Sequence, residues 1–228
     1  MSEKTGVVEA KICGLTRPED AQTAIEAGAR YLGVIFAGGP RLVSVSQARV
    51  IFEAGTSASR PRTVRRVAVF GEQDEATILA TAEALDLDVL QLHSARTPET
   101  VARLRAMSGR TVWPVVRVAS TVLPDEAVPL ASAAGALVLD ALVAGQLGGT
   151  GVALDWLGLR DAVWALRAAV PDLQLIVAGG LRPATVGDAV RLLSPECVDV
   201  SSGVEQAPGV KDPVRVRAFV DAVRATAG

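Results

Sequence analysis

Two residues raise the first chemical question. Cys13 closes the apolar run VVEAKIC (7–13), and Asp140 closes ALVLD (136–140). A thiol or a carboxyl at the end of a buried strand is unfavourable unless it is paired, protonated or used. Both groups transfer protons. An acid and a base held on opposite sides of a bound molecule are what a proton-shifting isomerase needs. Each also has a plain structural role, the cysteine as a small core hydrophobe and the aspartate as a cap or turn residue. His93 closes VLQLH (89–93) and fits a hydrogen-bonded position at a rim, with Gln91 on the same face one layer lower in the core. Arg41 follows Gly38-Gly39-Pro40. It is either a surface arginine or a planar fork that grips a carboxylate.

Two loops add a third kind of chemistry. Gly179-Gly180 follows LQLIVAG (173–179), and Ser201-Ser202-Gly203 ends VDVSSG (198–203). Glycines in either loop alone would only permit a tight turn. Together, at the last two strands of a barrel, they favour a phosphate held by backbone N–H groups.

Lys11 poses a different problem. It alternates with Cys13 on the inward face of the first run, one layer deeper. A buried ammonium needs a partner. In a closed barrel the last strand lies beside the first, and Asp199 precedes Ser201 as Lys11 precedes Cys13. A buried Lys11–Asp199 ion pair beneath the site is therefore expected, its positive end favouring the Cys13 thiolate.

The elements that must position these groups alternate along the chain. The remaining apolar runs are YLGVIF (31–36), RVAVF (66–70) and VWPVVRV (112–118). All have the length and Val/Ile/Leu content of buried strands. Between them lie Ala-rich helical patterns. Their expected starts are Pro18 with Thr16 as cap, Ser46 as cap, Asp74, Thr97, Pro124-Asp125, Trp156, Pro183 and Pro213. Eight strand–helix units joined by right-handed crossovers favour a (β/α)₈ TIM barrel, read as one domain over 1–228. An open doubly wound sheet would want a G-x-G-x-x-G turn after the first strand, and Cys13-Gly14-Leu15-Thr16 does not supply it. The stretch Gly55–Arg65 reads as a polar loop.

Bulk properties exclude other classes. The 228 residues carry a net charge of −2, and no basic stripe points to nucleic acid. With two cysteines neither a disulfide framework nor a cysteine-built metal cluster is expected, and the one histidine removes a Ser-His-Asp triad unless His93 itself serves. Asp140 interrupts the most membrane-like stretch, and no signal-peptide-like run opens the chain. A cytoplasmic setting without membrane partners is expected.

The residues match a known family over essentially the whole chain. KICGLT (11–16), GPRLVS (39–44), LQLH (90–93), LVLDA (137–141), GGTG (148–151), LDW (154–156), VAGGL (177–181), VDVSSGVE (198–205) and PGVKD (208–212) carry the match. The chain resembles the phosphoribosylanthranilate isomerases of tryptophan biosynthesis. The resemblance implies a barrel without cofactor or metal, working as a monomer or homodimer on a small phosphorylated substrate. It implies an Amadori rearrangement of N-(5′-phosphoribosyl)anthranilate to an aminodeoxyribulose phosphate. It also implies Cys13 as general base, Asp140 as general acid, Arg41 as ligand of the anthranilate carboxylate, and the glycine and serine loops as the phosphate site. The chain departs from the family pattern at Gly39, Gly71, Ser94 and Val152. Indole-glycerol-phosphate synthase would want a lysine–glutamate set on its strands, and a ribulose-phosphate epimerase would want metal-binding histidines. A catalytically silent sugar-phosphate-binding barrel would not need both Cys13 and Asp140.

Overall fold

The computed structural model describes residues 7–54, 64–141 and 155–226. Strands β1 (Glu9–Ile12), β2 (Tyr31–Ile35), β3 (Arg65–Phe70), β4 (Val89–Leu92), β5 (Thr111–Val118), β6 (Ala136–Ala141), β7 (Gln174–Ala178) and β8 (Cys197–Val200) pair in chain order and close into a barrel. Every pairing around the ring is parallel, including the closing β1–β8 pair. Helices α1 (Pro18–Ala27), α2 (Val45–Glu53), α3 (Glu75–Leu85), α4 (Pro98–Ser108), α5 (Ala127–Ala134), α6 (Trp156–Ala169), α7 (Val186–Leu193) and α8 (Pro213–Arg224) follow the strands in turn. The expected TIM barrel is thus present.

Burial on both faces of the sheet explains the continuous apolar runs. Inside the barrel, Tyr31, Val67, Val89, Trp113, Ala136, Val138, Ile176, Ala178 and Cys197 form one cluster. The opposite faces of the strands pack against the helices as a second, larger cluster. Three of the interior side chains are linked by hydrogen bonds. Trp113 Nε1 donates to Gln174 Oε1 at 3.2 Å, and Gln174 Nε2 donates to Tyr31 Oη at 3.3 Å.

The helix caps correct part of the sequence reading. Asp74 and Thr97 cap α3 and α4 as expected, each accepting from the third residue on. Helix α2 is capped by Ser44 rather than Ser46, through a reciprocal box with Gln47. Thr16 caps nothing; its hydroxyl donates to the Gly209 carbonyl at 2.5 Å. Helix α1 instead starts on Pro18 with Glu19 and Asp20 in its first turn, which suits the positive end of the helix dipole. Helices α5 and α7 begin later than Pro124-Asp125 and Pro183 suggest, because short turns precede them. Most of the Gly55–Arg65 loop, the GGTG stretch and Val152 lie outside the described residues.

A small addition was not expected. After β8 the chain makes a 3-10 turn (Ser202–Val204) and a two-stranded antiparallel ribbon, β9 (Glu205–Ala207) with β10 (Val210–Lys211). This ribbon feeds two charged side chains, Glu205 and Lys211, back toward the barrel rim.

Candidate active site at the strand ends

Strand β1 carries the candidate base. The Cys13 N–H donates to the Val200 carbonyl at 2.8 Å, which ties the end of β1 to β8. Its side chain is buried, and space for it comes from the next strand. A Cβ at Gly33 of β2 would stand 3.0 Å from both Cys13 Sγ and Lys11 Cε. Lys11, fully buried, donates to Asp199 Oδ2 at 2.7 Å, and the two residues are direct register partners across β1–β8. The expected ion pair is therefore present.

Its electrostatic effect on the thiol has the expected direction and is not the largest influence. Burial pushes the Cys13 thiol above its ordinary value; the Lys11 ammonium draws it back, Asp199 opposes Lys11, and Lys211 assists it. Burial wins. The thiol is protonated at neutral pH.

Asp140 is the last residue but one of β6 and is paired in register with Arg117 of β5. Its Oδ2 lies 3.9 Å from His93 Nε2, beyond hydrogen-bond range. Trp113 and Val115 face the barrel interior, so Arg117 shares that face and stands at the rim. The neighbouring ends of β4, β5 and β6 thus bring His93, Arg117 and Asp140 together. Arg117 stands at a strand end in the sequence, but nothing there marks it for a role. Burial, then the positive charges of Arg117 and Lys11, push His93 down to about 4, with Asp199 opposing. The imidazole is neutral at physiological pH, and its Nδ1 is buried without a hydrogen-bond partner among the described residues.

His93 is the chain's single histidine, so its titration can be followed alone. Its folded value lies below the ordinary 6.5. The unfolded chain then binds more protons between those values, and stability falls as pH drops from about 6.5 to about 4. At about 1.36 kcal/mol per unit, the loss approaches 3 kcal/mol. His93→Gln should flatten that acid limb in urea titrations. A wild-type imidazole titrating near 6.5 by NMR would contradict this environment.

Arg41 is committed more deeply than a surface arginine. Its Nε donates to Glu205 Oε1 at 2.8 Å and its Nη2 to Glu205 Oε2 at 2.6 Å. Lys211 Nζ shares the same carboxylate, reaching Oε1 at 2.8 Å, and also donates to the Ser201 carbonyl at 3.2 Å. Burial raises Glu205, but the Arg41 hydrogen bond and Lys211 outweigh it and hold the carboxyl below its usual range. Glu205 and Lys211 fall within VDVSSGVE and PGVKD, yet nothing local in those motifs shows that they meet Arg41.

The two small-residue loops meet over the barrel. Gly179 and Gly180 both have left-handed backbones, with φ of 87° and 67°, which a side chain would strain. A Cβ on Gly203 would sit 1.9 Å from the Leu181 carbonyl oxygen, so the loops after β7 and β8 touch through backbone. The Ser201 hydroxyl is buried without a protein partner among the described residues, and Ser202 opens the 3-10 turn. Gly203→Ala must push the two loops apart at a cost of about 1–3 kcal/mol. If they hold the substrate phosphate, KM rises in that variant more than kcat falls. Wild-type KM would separate Gly203 from phosphate binding.

A closed parallel barrel with a thiol, a carboxyl and an imidazole on its C-terminal rim and backbone-lined loops after its last two strands has the build of a (β/α)₈ isomerase. Comparison with known proteins narrows the class. The family model for N-(5′-phosphoribosyl)anthranilate isomerase matches residues 10–222. The N-(5′-phosphoribosyl)anthranilate isomerase of Paramagnetospirillum magneticum is 39% identical over 221 residues, covering 95% of this chain and 97% of its own. The crystal structure of the Thermotoga maritima phosphoribosyl anthranilate isomerase superposes with a TM-score of 0.80 at 30% identity, covering 96% of this chain and 99% of that one. A phosphoribosyl anthranilate isomerase in complex with reduced 1-(o-carboxyphenylamino)-1-deoxyribulose 5-phosphate gives 0.79 at 29%, with the same coverage. The chain belongs to the N-(5′-phosphoribosyl)anthranilate isomerase family.

Proposed function

We propose that this chain converts N-(5′-phosphoribosyl)anthranilate to 1-(2-carboxyphenylamino)-1-deoxyribulose 5-phosphate in tryptophan biosynthesis, with Cys13 and Asp140 moving the protons. Family membership over residues 10–222 carries the reaction. The rim geometry supports the roles. Asp140, protonated, donates to the furanose ring oxygen; the C1′–oxygen bond breaks, and the nitrogen lone pair forms a C1′=N Schiff-base cation. That cation beside the buried thiol favours its thiolate, with the thiol proton leaving to solvent. The thiolate removes the C2′ proton, and the C2′–H electrons neutralise the cation as an enolamine. Protonation at C1′ and loss of the C2′ hydroxyl proton yield the ketone. No net oxidation occurs.

The neutral His93 matters to the acid. Its ring, neutral at physiological pH, adds no positive charge 3.9 Å from the Asp140 carboxyl. Arg41 takes the anthranilate carboxylate, and Gly179, Gly180, Ser201, Ser202 and Gly203 take the phosphate. We read the chain as one domain, working in the cytoplasm as a monomer or homodimer; no helix among the described residues is long and apolar enough to cross a membrane. Complementation tests the function. A bacterial strain lacking its own phosphoribosylanthranilate isomerase should grow without tryptophan when it expresses this protein. Failure to grow with the folded protein present would contradict the proposal.

A further inference from the structure

Arg41 presents an apparent conflict. A guanidinium has two edges able to form paired hydrogen bonds to a carboxylate, the Nε–Nη2 edge and the Nη1–Nη2 edge. Glu205 occupies the first, at 2.8 and 2.6 Å. Nη1 makes no hydrogen bond to the described residues. The Arg41 side chain is 14% exposed, so the pair sits at the rim, with Glu205 more deeply buried at 5%.

The arrangement is anchored on three sides. A Cβ on Gly14 would stand 2.6 Å from Arg41 Cδ and 2.7 Å from Ser201 Oγ, so the arginine stem lies directly across the backbone that follows Cys13. Lys211, fully buried, donates to the same Glu205 Oε1 that accepts from Arg41 Nε, and to the Ser201 carbonyl. A carboxylate between two cations leaves the cluster with one net positive charge. That charge is available to an anion at the rim, and the same cluster touches the start of the loop that follows β8.

We propose that Glu205 is a positioning residue for substrate recognition: it closes one edge of the Arg41 guanidinium, aims the Nη1–Nη2 edge at the anthranilate carboxylate, and through Lys211 couples that site to the phosphate loop at Ser201. The proposal rests on the function proposed above. Glu205 does not touch the substrate; it fixes a flexible arginine before binding, so less conformational freedom is lost when the carboxylate arrives.

Two inhibitors that differ only in the carboxylate test this. One is the reduced product with its ortho-carboxyphenylamino group; the other carries a phenylamino group in its place. Wild-type protein should bind the carboxylated compound about 10- to 100-fold more tightly, as a charge-assisted pair allows. In Glu205→Gln, and independently in Glu205→Asp, which keeps the charge but retracts it, that preference should fall about tenfold. Affinity for the phenylamino compound should change much less. A ratio of affinities is not moved by a general loss of stability. If either folded variant keeps the wild-type preference, or loses affinity for both compounds equally, Glu205 does not aim Arg41 and the proposal is overturned. Wild-type protein that binds both compounds without preference overturns it as well. Wild-type protein that binds neither compound and does not turn over the substrate instead rejects the proposed function itself.

Discussion

Cys13→Ala and Asp140→Asn should each lower kcat by about 10²–10⁴ while the barrel remains folded, the range expected for loss of a general acid or base. Cys13 is only 6% exposed, and trimming its sulfur leaves a small gap. Asp140→Asn conserves shape and removes the donated proton. Neither residue is assigned to the carboxylate or the phosphate, so KM should change little. The double variant should be barely slower than the worse single one, because the two groups act within one proton-transfer sequence. Steady-state kinetics on the three variants check this. A large KM effect with unchanged kcat would make Cys13 a binding residue.

The second large effect concerns stability. Breaking the Lys11–Asp199 pair on one side should cost about 3–5 kcal/mol, because the remaining charge is stranded in the barrel. Asp199→Asn strands an ammonium with no exposure, and Lys11→Met strands a carboxylate only 7% exposed. Asp199 Oδ1 already lacks a hydrogen-bond partner among the described residues, so the carboxylate has little other support. Domains are stable by only about 5–15 kcal/mol, and a loss of this size shows clearly in urea unfolding. The double variant Lys11→Met with Asp199→Leu should be less damaging than either single one, since apolar replacement of a buried pair is often neutral. Burial lowers the Lys11 value, but Asp199, then Cys13, outweigh it and hold the ammonium above its ordinary 10.5. The contribution of the pair is therefore complete below the ordinary lysine value and is lost only as pH rises through the folded one. Single-variant losses below about 1 kcal/mol would show that the pair is screened.

The ion pair also shows what could be read from sequence alone. Its geometry follows from two regularities, alternation along a strand and closure of the last strand on the first, so Lys11 and Asp199 could be paired from their spacing to Cys13 and Ser201. The strands were legible for the same reason, because burial on both faces leaves continuous apolar runs. Ser44 was legible too: Gln47 stands three residues after it, the spacing of a capping box, whereas Ser46 has no such partner. The Arg41–Glu205 contact joins residues 164 apart through the β9–β10 ribbon, and no local pattern encodes it. Arg117 and the depressed His93 value depend on charges converging from several strands, which only the closed barrel brings together.

The most direct test of the central claim is turnover of N-(5′-phosphoribosyl)anthranilate by the purified protein, followed as loss of anthranilate-type fluorescence. Wild-type protein should remove the signal at a rate proportional to enzyme concentration, with Cys13→Ala and Asp140→Asn slower by about two to four orders of magnitude. No enzyme-dependent loss with folded wild-type protein, or a Cys13→Ala rate equal to wild type, would contradict it.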